Sequence, residues 1–272
     1  MRLLKINADG SFSLTTHDRN KIPSYAILSH TWEADNQEVT YQDLLKAIGK
    51  DKSGYRKIQF CGEQAKKDSL EYVWIDSCCI DKSSSSELSE AINSMFQWYE
   101  NATKCYVYLS DVSAGKHSRS SELLWESAFE RSRWFTRGWT LQELLAPRAI
   151  EFFSRDGVRL GDKKSLEPQI HRASGITVKA LQGTPLSDFS IDERMSWAAK
   201  RRTTIEEDQA YCLLGIFEVH MALIYGEKEE YAFRRLHEEI DKRLTRNEFG
   251  QGKSNPKELY RIRWLIHTSK IK

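Results

Sequence analysis

Residues 86–111, SELSEAINSMFQWYENATKCYVYLSD, put an amphipathic helix directly ahead of a short apolar run. Leu88, Ala91, Ile92, Met95, Phe96 and Tyr99 recur at i, i+3, i+4, i+7, i+8 and i+11, one stripe of a 3.6-residue helix, which predicts a core-facing surface. Ser84 and Glu87 stand just before it at the spacing of a capping box, in which a hydroxyl and a carboxylate satisfy the free N–H groups of a helix start. The run CYVYLSD at 105–111 is apolar almost without interruption, as in a strand covered on both faces. A helix feeding such a strand is half of a βαβ unit, so the fold class is α/β.

The same pattern repeats outward. Apolar runs lie at YAILSH (25–30), YVWIDS (72–77) and IEFFS (150–154), and GYRKIQFCGEQAKKDS (54–69) supplies a helix ahead of the second. Helix and strand alternating in this way imply a central parallel sheet flanked by helices, with a ligand crevice at the carboxyl ends of the strands. MRLLKINADGSFSLTT (1–16) adds an N-terminal β-hairpin, because Asp9-Gly10 supplies the positive φ that a tight turn needs. After about residue 160 the pattern is helical: SLEPQIHRAS, SIDERMSWAAKR, TIEEDQAYCLLGIF and EKEEYAFRRLHEEIDKRL. Capping-box spacings at Ser190/Glu193 and Thr204/Glu207 predict two of these starts. The expected organisation is an α/β core with its hairpin at 1–160 and a helical extension packed on it at 161–245. A linker beginning NEFGQGKSNP and a basic terminal helix, KELYRIRWLIHTSKIK, fill 246–272.

With 272 residues, 40% of them hydrophobic, the chain can build a sizeable core. Its 41 basic and 39 acidic side chains give a net charge of +2, so nucleic acid is not an expected partner. The most apolar region, AYCLLGIFEVHMALIY, is interrupted by Glu218 and His220, and no membrane partner is expected either. The start carries Arg2, Lys5 and Asp9 before any apolar stretch of signal length develops. Five cysteines, with no CxxC pair, suggest neither a disulfide framework nor a zinc site, as in a reduced cytoplasmic chain. DSCCID (76–81) reads more simply as a buried strand end than as a reactive thiol.

Polar residues gather beyond three strand ends: Ser29, His30, Thr31 and Trp32; Asp76, Ser77 and Asp81; Ser110 and Asp111. Singly, such residues commonly cap helices or close turns, but three clusters converging on one sheet edge are what a pocket requires. His30 reads as a hydrogen-bonding histidine beside that pocket, since no Ser-His-Asp or Cys-His set can be assembled around it. Asp76 and Asp81 alone do not make a metal site, and no Walker A or dinucleotide glycine fingerprint is present. No tightly bound cofactor is expected. In TRGWTLQELLAP (136–147), Trp139 and Glu143 lie one helical turn apart, on the flank of a face marked by Leu141, Leu144 and Leu145. A carboxylate held against an indole and shielded from water is costly to ionise. From spacing alone, the default reading is a helical glutamate that accepts a bond from Arg137 or Arg148.

YAILSHTW, VWIDSCCIDK, EAINSMFQWYENATKCYVYLSDV and WFTRGWTLQELLAP together resemble the HET domain of fungal heterokaryon-incompatibility proteins. RMSWAAKRRTTIEEDQAYCLLGIFEVHMALIYGE extends the resemblance, over about residues 1–240, to the form found at the N-terminus of NLR-type incompatibility proteins. No nucleotide-binding or WD-repeat region accompanies it, so a stand-alone protein or a fragment is expected. The resemblance implies a cell-death effector, and HET domains are in turn similar to TIR domains, with a flavodoxin-like sheet. In many TIR enzymes a glutamate in a W-x-x-x-E helix cleaves NAD. That likeness makes Glu143 the implied catalytic residue, with Ser29, His30, Thr31, Trp32, Asp76, Asp81, Ser110, Arg137 and Trp139 around the substrate. His30, Thr31 and Trp32 would meet the nicotinamide ribose, Arg137 a phosphate, and Trp139 would wall the pocket. One departure is the 23-residue segment SAGKHSRSSELLWESAFERSRWF between Ser110 and Trp139, longer than in common TIR domains. The implied partners are NAD or a related nucleotide, further copies of the domain, and an NLR-type or other incompatibility protein. The alternatives are a non-enzymatic signalling module and hydrolysis of another nucleotide or of nucleic acid, the near-neutral charge disfavouring long polyanions but not small nucleotides.

Overall fold

The four central apolar runs form strands where their patterning places them, and all join one sheet. The computed structural model describes residues 1–114 and 119–251. Its strands are β1 (Arg2–Ile6), β2 (Phe12–Thr16), β3 (Ala26–His30), β4 (Tyr72–Trp74), β5 (Lys104–Leu109), β6 (Ile150–Ser154) and β7 (Arg159–Asp162), in the spatial order β2-β1-β4-β3-β5-β6-β7. β4, β3, β5 and β6 are mutually parallel. The sheet as a whole is mixed, not purely parallel. The N-terminal hairpin continues it antiparallel to β4, and β7 adds an antiparallel strand at the far edge. β7 carries no apolar run because an edge strand is covered on few sides; only Gly161 in it is buried. The Asp156-Gly157 turn that leads into it has Gly157 at φ 73°, a conformation L side chains adopt at a cost.

The helices in chain order are α1 (Tyr41–Leu45), α2 (Tyr55–Lys67), α3 (Asp76–Cys79), α4 (Ser85–Asn101), α5 (Arg119–Glu130) and α6 (Thr140–Leu145), followed by the extension helices α7 (Glu167–Ser174), α8 (Val178–Leu181), α9 (Ile191–Ala198), α10 (Asp208–Tyr211), α11 (Leu214–Phe217) and α12 (Glu229–Gln251). Side chains of β5 alternate between the two faces of the sheet. Tyr106 and Tyr108 face α2, where Tyr106 donates to Asp68 and Phe60 packs against Tyr108 and Phe153. On the opposite face Trp74 packs edge-on against Trp98 and Tyr99 of α4, and α6 lies beside α4 and β3. Every residue of β3 is buried, as a strand covered on both sides requires.

The Ser84 hydroxyl accepts from Glu87 N as the box predicts, but the Glu87 carboxylate takes Asp81 N and Arg2 instead of closing the box. Ser190 caps α9 through Glu193 N. The Thr204/Glu207 expectation fails. α10 begins only at Asp208, Thr204 Oγ1 accepts from Arg137, and the Glu207 carboxylate is taken by the N–H groups of Gly226 and Lys228 ahead of α12. Backbone bonds from Gly138 N to Arg202 O (2.9 Å) and from Arg202 N to Thr136 O (2.7 Å) stitch the extension to the segment that enters α6. Gly215 of α11 lies so close to Phe96 of α4 that a Cβ there would fall 2.2 Å from the Phe96 Cβ.

α12 runs on to Gln251, through the first residues of the expected linker, because a single Gly250 costs a helix only about 1 kcal/mol and no proline lies between Glu229 and Pro256. The terminal basic helix lies outside the described residues. Among the described residues no helix is long and apolar enough to cross a membrane. All five cysteines are buried and free of disulfides.

Candidate functional site

Where β3 ends, the chain order of the parallel strands reverses, with β4 on one side and β5 on the other. A doubly wound sheet opens its crevice at such a point, because the connections leave toward opposite faces. β3 delivers Ser29 and His30 there, and the following turn Thr31 and Trp32; α3 opens with Asp76, and α6 lays Glu143 across the end of the sheet.

The centre of the site is a buried chain of hydrogen bonds. Trp134 Nε1 donates to Ser29 Oγ at 2.8 Å, and Ser29 Oγ donates to Glu143 Oε2 at 2.5 Å. Tyr99 donates to Leu28 O at 3.0 Å and places its hydroxyl within reach of the same carboxylate. Glu143 is only 5% exposed. Burial, reinforced by the charge of Asp76, pushes its carboxyl up to about 8; the bond from Ser29, the nearby Tyr99 hydroxyl and the charge of Arg201 offset this only in part. Arg201, 1% exposed, sends Nε to Trp197 O and Nη1 to Arg137 O and Thr140 Oγ1, bracing the entry to α6 from the extension. Burial pulls the Arg201 guanidinium down to about 10, against the opposing charges of Cys212 and Glu143.

A second network lies beside the first. His30 Nε2 and Asp76 Oδ1 are 2.9 Å apart, and Trp32 Nε1 donates to Asp76 Oδ2 at 2.9 Å. Burial alone would raise the Asp76 carboxyl, but its bond to His30 and the cationic groups around it outweigh burial and hold it at about 2. Two neighbouring carboxyl groups are thus driven in opposite directions, the environment pattern by which acid and base roles are separated within one site. Thr31 Oγ1 meets Ser110 Oγ at 3.3 Å, and Arg133 Nη2 donates to the same serine, closing the β5 side.

Ser29, His30, Thr31, Trp32, Asp76, Ser110 and Glu143 are therefore brought together, as their strand-end positions suggest. Three expected members take other partners. Asp81 holds the turn before α4 through Ser83 N and Oγ, the ordinary work of an aspartate after a strand. Arg137 bonds Thr204. Trp139 donates its indole N–H to Asp208 Oδ2 at 3.1 Å, so the indole in the Glu143 network is that of Trp134. A 3₁₀ turn over Arg133–Thr136 carries Trp134 into the core ahead of α6, and Trp139 stands as the residue before the first turn of α6. Asp208 also accepts from Tyr225, and burial raises its carboxyl above the ordinary range. In the sequence Tyr99 was visible only as part of the core-facing stripe of α4, and Trp134 only as part of WFTRGWTLQELLAP. Arg201 sits in an unremarkable basic run, and nothing local marks its role.

A family model described as heterokaryon incompatibility protein (HET) matches residues 25–128. Vegetative incompatibility protein HET-E-1 of Podospora anserina is 55% identical over 243 residues, which cover 89% of this chain and 18% of that protein. The chain carries a HET domain. The part of the HET domain matched by the family model includes Ser29 to Trp32, Asp76, Tyr99 and Ser110, while Trp134 and Glu143 lie beyond it. The chain spans less than a fifth of the length of HET-E-1. No solved structure matches it.

Proposed function

We propose that this HET domain is a cell-death effector of vegetative incompatibility and that it cleaves the bond between nicotinamide and ribose in NAD. The incompatibility role is supported by the printed name of the 55%-identical relative. The TIR-like reading is supported by the parallel strands running in the flavodoxin-like order of second, first, third and fourth. One observation carries the chemistry: Glu143, shielded and bonded to Ser29, faces the same sheet edge as the Asp76, His30 and Trp32 cluster.

In NAD the leaving nicotinamide departs as a neutral molecule from a pyridinium, so no acid has to protonate it, and one carboxylate suffices where a glycosidase uses two. The C–N bond breaks with its electron pair going to nicotinamide, leaving an oxocarbenium-like ribose that the Glu143 carboxylate stabilises. Water then adds at the anomeric carbon and releases one proton, giving ADP-ribose; a hydroxyl of the product adding instead gives a cyclic form. Ser29 and Trp134 fix the carboxylate, and His30 fixes Asp76. NAD is here a consumed substrate. Self-association and an NLR-type or other incompatibility protein are the proposed routes of activation, in the cytoplasm.

The test is nicotinamide release from NAD by concentrated, assembled protein, compared with Glu143→Gln at equal abundance. Loss of the carboxylate should cut release by roughly a hundredfold or more, as removal of a preorganised electrostatic group does. Equal release by the variant refutes the assignment. A second reading, a signalling module without catalysis, draws on Glu143 being 5% exposed and already bonded. Under it, cell killing by the folded glutamine variant is unchanged.

A further inference from the structure

Lys82 has no part in the chemistry above, yet it lies against a residue of the site, Trp32. Its ammonium lies 3.3 Å from the centroid of the Trp32 ring. Trp32 as a residue is 39% exposed, and the N–H edge of its indole is fixed by the bond to Asp76 Oδ2. An indole whose N–H donates to a carboxylate carries extra electron density on its faces, and a cation over such a face is attracted by the ring quadrupole. Desolvation by neighbouring atoms lowers the affinity of Lys82 for the proton, and the charges of Asp76, Glu38 and Asp208 oppose this and draw the ammonium toward the site. A lysine is a point charge on a flexible stem, whereas a flat aromatic cation would cover the whole ring face.

We propose that the exposed face of Trp32 is a subsite for a planar organic cation of the pyridinium class, and that Lys82 fills it in the resting chain as an internal ligand that the incoming cation displaces. Identifying that cation as the nicotinamide ring of NAD rests on the NAD-cleavage reading; the preference for a flat cation does not. Removing the lysine charge removes both the competitor and a repulsion, so binding of a pyridinium should tighten.

The experiment titrates the protein with N-methylnicotinamide, a cation, and with nicotinamide, its neutral counterpart. The readout is the indole N–H resonance of Trp32, identified by its absence in Trp32→Phe. The cation is expected to shift this resonance saturably, with binding about fivefold tighter in Lys82→Gln, the scale of one cation–ring contact. Neutral nicotinamide is expected to leave it in place. Lys82→Arg, which keeps the charge, should bind no tighter than the parent. Lys82 is an exposed residue on the turn before α4, so these replacements leave the core intact. Equal or weaker binding by the glutamine variant overturns the proposal, as does an equal shift by the neutral compound. Tightened binding without nicotinamide release from NAD keeps the subsite and refutes the NAD reading. Release of nicotinamide with unchanged affinity in Lys82→Gln does the reverse.

Discussion

Glu143→Gln should make this protein more stable, and by an amount that depends on pH. Burial raises the Glu143 carboxyl from an ordinary 4.5 to about 8 in the folded chain. The folded state therefore keeps a proton that the unfolded chain releases above pH 4.5, so unfolding sheds a proton between pH 4.5 and 8 and the parent loses stability as pH rises through that window. Each tenfold difference is worth about 1.4 kcal/mol, so the cost reaches roughly 5 kcal/mol at most above pH 8 and roughly 3 kcal/mol at pH 7. Glutamine has no proton to lose. Its carbonyl can accept from Ser29 Oγ, and its amide N–H can donate to the hydroxyl oxygen of Tyr99, whose own proton goes to Leu28 O. Denaturant unfolding of both proteins at constant ionic strength, from pH 4.5 to 9, measures the gap. It should be near zero at the acid end, widen through the window and level off above pH 8. Other titrating groups are common to both chains and largely cancel. Arg201 works in the opposite sense; were its charge dominant, the variant would become progressively less stable than the parent as pH rises, and that result refutes the reasoning.

Other outcomes follow from the same contacts. Ser29→Ala removes a donor to Glu143 and leaves the Trp134 N–H unpaired, so unfolding measurements at pH 6 should show a loss of roughly 2–3 kcal/mol, with a further loss above pH 8. Arg201→Met breaks the bonds to Trp197 O, Arg137 O and Thr140 Oγ1, and should cost roughly 2–4 kcal/mol in denaturant titrations while enlarging the alkaline gap between Glu143 and its glutamine variant. Gly215→Ala forces α11 away from Phe96 and should lose roughly 2–3 kcal/mol, read as a lowered thermal midpoint. If the ionised Glu143 is the catalytic form, kcat/KM for nicotinamide release should climb with pH and level off above about 8; a fall over that range contradicts the assignment.

The parallel centre of the sheet was legible because strands buried on both faces need unbroken apolar runs, and β3 and β5 have them. β7 was not, since an edge strand has little to bury and its four residues carry no period. Ser29, His30 and Asp76 could be anticipated together because an α/β sheet sends its strand ends to one edge, whereas Glu143, on a helix, was singled out by the family resemblance. Which indole would stand with Glu143 could not, because Trp134 meets Ser29 across 105 residues of sequence and Trp139 is taken by Asp208, 69 residues further on. Arg201 is harder still, because its partners at Arg137 and Thr140 are 64 and 61 residues away and no local spacing encodes them. Asp81 shows the converse: a strand-end carboxylate whose Asp-x-Ser spacing closes a turn, so local chemistry claims it before the crevice can.

The two proposals converge on the charge of the substrate. At rest Glu143 holds its proton near neutral pH, Asp76 does not, and Lys82 supplies the positive charge over Trp32. A pyridinium entering beside Trp32 expels one cation and puts another in its place. A reduced dihydronicotinamide carries no such charge and would not displace Lys82. Selection between oxidised and reduced dinucleotide would then need no contact with the ring substituents, because the charge held over Trp32 already separates them.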